Sequence, residues 1–258
     1  DVILNGQRNG DNFGYSVASA GDFNGDGKDD VIVGAYKDDN NSLTDSGSAF
    51  IFLGGITGTK TADADADVII DGQSAADEFG NAVASAGDFN GDGKDDVIIG
   101  APADDNNSAS ASGSAFIFFG GITGTKRADA DADVILDGQS ASDRFGISVA
   151  SAGDFNGDGK SDVIVGADFR TNNVGNEGNA YIFFGGVTGS KRANDDADVI
   201  IKGNGNGDNL GNSVSSAGDF NGDGKGDVII GEHNGRDGSN IRTGRAYIFF
   251  GGVTGTKT

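Results

Sequence analysis

Asp22-Phe23-Asn24-Gly25-Asp26-Gly27-Lys28-Asp29-Asp30 is the stretch whose reading decides the fold. It returns at 88–96, 154–162 and 219–227, and only its eighth residue changes: Asp29, Asp95, Ser161, Gly226. The offsets are 88−22 = 66, 154−88 = 66 and 219−154 = 65. The chain is therefore a tandem array of one unit, with repeats at about 1–66, 67–132, 133–197 and 198–258 of a single domain.

Oxygen donors recur at loop positions 1, 3, 5 and 9. In the four copies they are Asp22, Asn24, Asp26 and Asp30; Asp88, Asn90, Asp92 and Asp96; Asp154, Asn156, Asp158 and Asp162; Asp219, Asn221, Asp223 and Asp227. At position 7, Lys28, Lys94, Lys160 and Lys225 can offer only a backbone carbonyl, leaving the amine in water. Glycines at positions 4 and 6 allow the tight curl, because glycine reaches positive φ without steric cost. All-oxygen donors around such a turn suit Ca²⁺, which takes six to eight of them; Mg²⁺ demands a stricter octahedron. Four ions are expected, one per repeat.

Two competing motifs fail. An EF-hand needs a bidentate Glu at position 12 and flanking helices; position 12 here is Val33, within the apolar run Val31-Ile32-Val33. A P-loop needs Gly where Asp22 stands and Ser or Thr where Asp29 stands. Asp-Gly and Asn-Gly also form ordinary turns, but a plain turn does not require Asp at position 9 four times.

β-branched residues after the loop and Val17-Ala18-Ser19-Ala20 before it read as strands, placing the loop at a β-hairpin tip. Each repeat also carries an opening apolar strand (Val2 to Leu4), a Phe-Gly or Leu-Gly pair, a variable polar loop and an aromatic strand such as Phe50-Ile51-Phe52. The variable loops run 36–48, 102–114, 168–179 and 232–245. No sustained 3.6-residue apolar period is present, so little or no helix is expected. Four strands per unit predict sixteen strands, nearly continuously apolar, as strands covered on both faces are. An all-β propeller of four-stranded antiparallel blades satisfies this, with the small-residue strand nearest the axis. The N-terminal strand is expected to complete the fourth blade and close a four-bladed ring; an eight-bladed ring from two chains is the alternative. Asp63-Ala64-Asp65-Ala66-Asp67 reads as a solvated charge run entering a strand rather than a further cation site.

Composition sets the remaining bounds. The 258 residues are 36% apolar, enough for a core. Gly numbers 47 and Pro 1, which implies many tight turns. A formal charge of −22 disfavours nucleic acid and anionic membranes; four Ca²⁺ would bring it to −22 + 8 = −14. There is no Cys, so no disulfide framework, and no apolar run long enough to span a membrane. Without Met or a leader-like segment, the sequence reads as a processed, excised or recombinant piece.

Phe13-Gly14, the Asp-X-Asn-X-Asp-Gly-X-X-Asp loop, and Gly34-Ala35-Tyr36 or Gly100-Ala101-Pro102 together resemble the FG-GAP repeat of integrin alpha-subunit β-propellers and their bacterial relatives. The likeness covers all four units. Departures are Leu210 for Phe, Gly166-Ala167-Asp168 and Gly231-Glu232-His233. The resemblance implies roughly one blade per repeat and Ca²⁺ in the hairpin between the first two blade strands, on the positions named above.

The expected function is a calcium-stabilised, non-enzymatic recognition or adhesion module, secreted or surface-displayed. A protein or glycan ligand is expected on the loop face opposite the hairpins, the chain being a monomer or, alternatively, a homodimer. His233, Arg236, Asn240, Arg242 and Arg245 make the fourth loop distinctive; they would suit a carboxylate or sulfate, though ordinary solvated loop charges read the same way. A propeller-based polysaccharide-acting enzyme and a structural spacer are the alternatives. Against the enzyme, the loops show no paired catalytic residues at repeating spacing.

Overall fold

The computed structural model describes residues 1–105, 109–169, 177–205, 207–236 and 241–258. Each repeat supplies five strands. The first gives β1 (Val2–Asn5), β2 (Ser16–Gly21), β3 (Asp30–Ala35), β4 (Ser48–Phe52) and β5 (Gly58–Thr61). The second gives β6 (Val68–Asp71), β7 (Ala82–Gly87), β8 (Asp96–Ala101), β9 (Ser114–Phe118) and β10 (Gly124–Arg127). The third gives β11 (Val134–Asp137), β12 (Ser148–Gly153), β13 (Asp162–Ala167), β14 (Asn179–Phe183) and β15 (Gly189–Arg192). The fourth gives β16 (Val199–Lys202), β17 (Leu210–Gly218), β18 (Asp227–Glu232), β19 (Arg245–Phe249) and β20 (Gly255–Lys257).

Sheets do not coincide with repeats. β2, β3 and β4 form an antiparallel meander, completed by β6 from the next repeat and then, in parallel, by β10. The second and third sheets repeat this with β7-β8-β9-β11-β15 and β12-β13-β14-β16-β20. The fifth strand was not expected. Its Gly-Thr-Lys sequence is short, exposed and without alternation, and parallel pairing leaves no local signal. Three single-turn helices, Ala62–Asp65, Ala128–Asp131 and Ala193–Asp196, precede the outer strands. Here the alternating aspartates cap backbone: Asp65 accepts from the Thr61 N–H at 2.8 Å, and Asp67 from the Leu53 N–H at 2.9 Å.

The small-residue strands β2, β7, β12 and β17 lie side by side in that order, so the sheets are arrayed about them. Cores form between successive sheets rather than within one. Ile32, Ile51 and Phe23 of the first sheet meet Val97, Phe116 and Phe79 of the second unit. Because both faces of β8 and β13 are covered, every residue in them is buried, which accounts for their unbroken apolar sequence.

A recurring contact locks the units. A β-carbon at Gly34 would collide with the carbonyl oxygen of Gly80, one at Gly100 with that of Gly146, and one at Gly166 with that of Gly211. Phe79 and Phe145 are buried beside these glycines and stack edge-on, at 5.5 Å, against Phe116 and Tyr181 of their own units. Leu210 takes the same place in the fourth unit and is also buried.

The expected ring closure is not observed. β1 pairs with β5 in parallel, and among the described residues β19 pairs only with β18, leaving a three-stranded fourth sheet. β1 is held where it is by its four-residue register with β5 and by Leu4, which packs on Val33, Phe50 and Phe52.

Candidate metal centre

Each nine-residue loop caps the hairpin of the first two strands of its sheet, as expected. Gly25 and Gly27 adopt φ of 78° and 86°, the left-handed region that lets the loop fold back on itself. The side chains then turn inward. Asp22 Oδ1 and Asn24 Oδ1 both accept from the Asp26 N–H, at 2.9 and 2.7 Å, so the first two donors converge on the third residue. The Gly27 N–H donates to Asp22 Oδ2 at 2.9 Å, and the Lys28 N–H to Asp26 Oδ1 at 3.0 Å. The same bonds recur within 0.1 Å around Asp88, Asn90 and Asp92, around Asp154, Asn156 and Asp158, and around Asp219, Asn221 and Asp223.

The position-9 carboxylates behave differently. Asp30, Asp96, Asp162 and Asp227 are buried beneath the loop. Asp96 accepts from the N–H groups of Phe89 and Asn90 at 2.9 and 3.2 Å, and from Gly120 at 2.8 Å. It thereby ties the loop to the end of the third strand, as Asp162 does through Gly185 and Asp227 through Gly251. Burial pushes the Asp96 and Asp162 carboxyls up to about 6, against the lowering effect of these amides. Asp30 is raised for the same reason.

Asp22, Asn24 and Asp26 thus form one group at an exposed tip, with Asp30 behind them. Among the described residues, no three Asp, Glu or His side chains stand in a metal-ligand arrangement. The carboxylates accept backbone N–H groups instead, and Asp88 Oδ1 and Asp154 Oδ1 accept two each, from Gly91 and Asp92 and from Gly157 and Asp158. The lysine chains lie at the surface. Lys28, its side chain 57% exposed, pairs through Nζ with Asp26 Oδ2 at 3.2 Å. The stems of Lys94, Lys160 and Lys225 lie over Gly25, Gly91 and Gly157 of the preceding hairpin.

A second carboxylate series lies at the other end of the sheets. Asp11, Asp77, Asp143 and Asp208 each precede the Phe-Gly or Leu-Gly pair by two residues. Asp77 is pushed up to about 7, first by burial and then by the negative charges of Asp104 and Asp129. Arginines pair with buried carboxylates at this end: Arg8 with Asp38 at 3.7 Å, Arg144 with Asp168 at 3.4 Å, Arg236 with Asp208 of the series itself at 3.6 Å, and Arg245 with Glu232 at 3.7 Å. Two of the three arginines singled out for an anionic ligand are therefore engaged with carboxylates of their own unit. His233 is exposed beside Asn234, Arg242 approaches Gly207, and Asn240 lies outside the described residues. The signal for this second series was its 66, 66, 65 spacing, the same as that of the hairpins.

A family model described as FG-GAP repeat matches residues 13–52, 79–118, 145–183 and 210–249. The chain is 33% identical over 172 residues to integrin alpha-5 of Xenopus laevis, covering 64% of this chain and 15% of that protein. It is 31% identical over 168 residues to integrin alpha-PS3 of Drosophila melanogaster, covering 64% and 14%. It is 29% identical over 183 residues to phosphatidylinositol-glycan-specific phospholipase D of Bos taurus, covering 69% and 21%. The matched stretch is about a fifth or less of each relative. Among the described residues, no helix is long and apolar enough to cross a membrane.

Proposed function

The chain belongs to the FG-GAP repeat family, and from that premise we propose that it is a calcium-stabilised recognition module, non-enzymatic and displayed outside the cell. The observation that carries this reading is the fourfold recurrence of converging oxygen donors at exposed hairpin tips on one end of the sheets. The donor set fits a hard divalent cation: side-chain oxygens at positions 1, 3 and 5, a position-7 carbonyl, and a buried carboxylate behind them. Asp22, Asn24, Asp26, the Lys28 carbonyl and Asp30 would hold the ion in the first unit, and their counterparts in the others. Bound Ca²⁺ would supply the positive charge that these clustered carboxylates lack. Extracellular modules bind Ca²⁺ at about 10⁻⁴–10⁻³ M, which agrees with sites this exposed.

The opposite end carries the variable loops on a rigid scaffold, where binding residues gather. A protein or glycan ligand is proposed there, and the match to integrin alpha chains supports adhesion as its purpose. Array binding with and without chelator tests this. Calcium-dependent capture of a protein or glycan is the expected result; calcium-independent silence across both arrays would remove the recognition role.

The phospholipase D relatives and the raised Asp77 favour one second reading, a carboxylate-based hydrolase. Turnover of a phosphatidylinositol-glycan or a polysaccharide, lost in Asp77→Asn, would replace the first reading with this one.

A further inference from the structure

The two ends of the array are complementary halves of the contact that joins its units. At the tail, Phe220 is 64% exposed, whereas its counterparts Phe23, Phe89 and Phe155 are 0% exposed because the following unit covers them. At the head, Val17 is 67% exposed, whereas its counterpart Val83 is 6% exposed because the preceding unit covers it. The polar contacts follow the same pattern. Inside the chain, the N–H groups of Asp95, Ser161 and Gly226 donate to the carbonyls of Asp22, Asp88 and Asp154 in the preceding unit, at 2.9–3.3 Å. The N–H groups of Gly121, Gly186 and Gly252 donate likewise to Phe23, Phe89 and Phe155 at 2.6–2.7 Å. By position in the repeat, the head carries these donors at Asp29 and Gly55, and the tail carries the acceptors at Asp219 and Phe220.

The outer strand completes the match. β4, β9 and β14 each take an outer strand on their free edge, with Val68 opposite Ile51 and Val199 opposite Ile182. Among the described residues β19 has no such strand, and a groove lined by Ile201, Leu210, Tyr247, Ile248 and Phe249 runs beside it. The head holds the missing piece ready-made: β1, already zipped to β5 as β16 is to β20. In the internal register, Val2 would face Ile248 and Leu4 would face Ala246. Val2 and Ile248 are 42% and 37% exposed here, against 1% and 0% for Val68 and Ile51.

We infer that the head of one chain docks on the tail of a second copy, and that two copies close an eight-sheet ring through two such joints. Head-to-tail contacts give rings when the rotation closes. Propellers run from four to about eight blades. Four units leave this array open, and eight is the next multiple of four. A second copy fits because the same surfaces already meet three times within the chain. The inference does not depend on the calcium or recognition readings.

The chain has no Cys, so Val2→Cys/Ile248→Cys gives a clean crosslinking test alongside sedimentation of the unsubstituted protein. The expected result is twice the chain mass in solution, and a single oxidised product of two chains on a denaturing gel. Phe220→Asp should weaken association about tenfold or more, since the joint would bury a carboxylate, with an unchanged far-UV spectrum showing the chain still folded. A crosslink within one chain would mean that the ring closes on itself, and would overturn the inference. So would a single-chain mass without crosslinking, as expected if further repeats of a longer chain cover these faces. An open ladder of higher masses would overturn the two-copy ring.

Discussion

The α-carbon of Gly100 is covered by the carbonyl oxygen of Gly146 so closely that no side chain fits between them. Gly100 belongs to the Gly-Ala-Pro triplet of one unit, and Gly146 to the Phe-Gly pair of the next. The two halves of the repeat motif are thus the two sides of one joint. Both partners are backbone, so neither can swing away. Gly100→Ala is expected to destabilise the protein by about 1–3 kcal/mol or more. Gly231→Ala, whose β-carbon would meet only the movable Ser213 hydroxyl, is expected to have a smaller effect. Urea midpoints at constant slope would separate them, and equal midpoints would refute the joint.

Phe89 and Phe220 occupy the same position of the repeat in opposite surroundings. Phe89 lies in the core between the second and third sheets, and Phe220 is exposed. Phe89→Ala is expected to cost about 3–5 kcal/mol, as buried aromatic truncations do. Phe220→Ala is expected to change the unfolding of a single chain, measured at dilution, by less than about 0.5 kcal/mol.

Calcium should act as a ligand of the folded state. At tenfold excess over its dissociation constant, each independent site contributes about 1.4 kcal/mol. For a chain of this size each kcal/mol raises Tm by about 2–4 °C. Chelation should lower Tm correspondingly, and Asp158→Ala should remove one of the titrating equivalents in calorimetry. An unchanged Tm in excess chelator would sink the calcium reading.

Asp77 sets a pH dependence at the other end of the sheets. Its folded pKa, raised to about 7, lies above the unfolded value near 3.9. Its contribution is therefore fully favourable below about pH 4 and is lost as pH rises through 7. Asp77→Asn should raise Tm at pH 8, by about 2–4 °C for each kcal/mol recovered, and leave it unchanged at pH 4. Scanning calorimetry in chelator at both pH values would check this, and a gain at pH 4 instead would contradict the stated cause.

Much of this arrangement was legible because the repeat multiplies weak signals. One Asp-Phe-Asn-Gly-Asp-Gly run is an ordinary turn, while four at constant spacing fix the unit and the hairpins, and put the same oxygen-bearing residues at the same loop positions. The small-residue strands fall side by side, as Val17-Ala18-Ser19-Ala20 suggested. What stayed hidden is what local chemistry does not encode. Gly58–Thr61 pairs in parallel with a distant strand, and nothing in Gly-Thr-Lys-Thr announces it. Closure was inferred from counting strands, whereas Leu4 packs β1 onto its own first sheet. Asp77 escaped notice because its shift arises first from burial and then from Asp104 and Asp129, and both exist only in the folded chain.

Each sheet draws its two outer strands from the next repeat, and that displacement governs how such an array can lengthen. Copying a whole repeat duplicates a three-stranded sheet that lacks its outer pair, together with an outer pair that lacks its sheet. Each addition therefore heals the previous seam and opens an identical new one. An array grown in this way always ends in a plug and a socket, whatever its length.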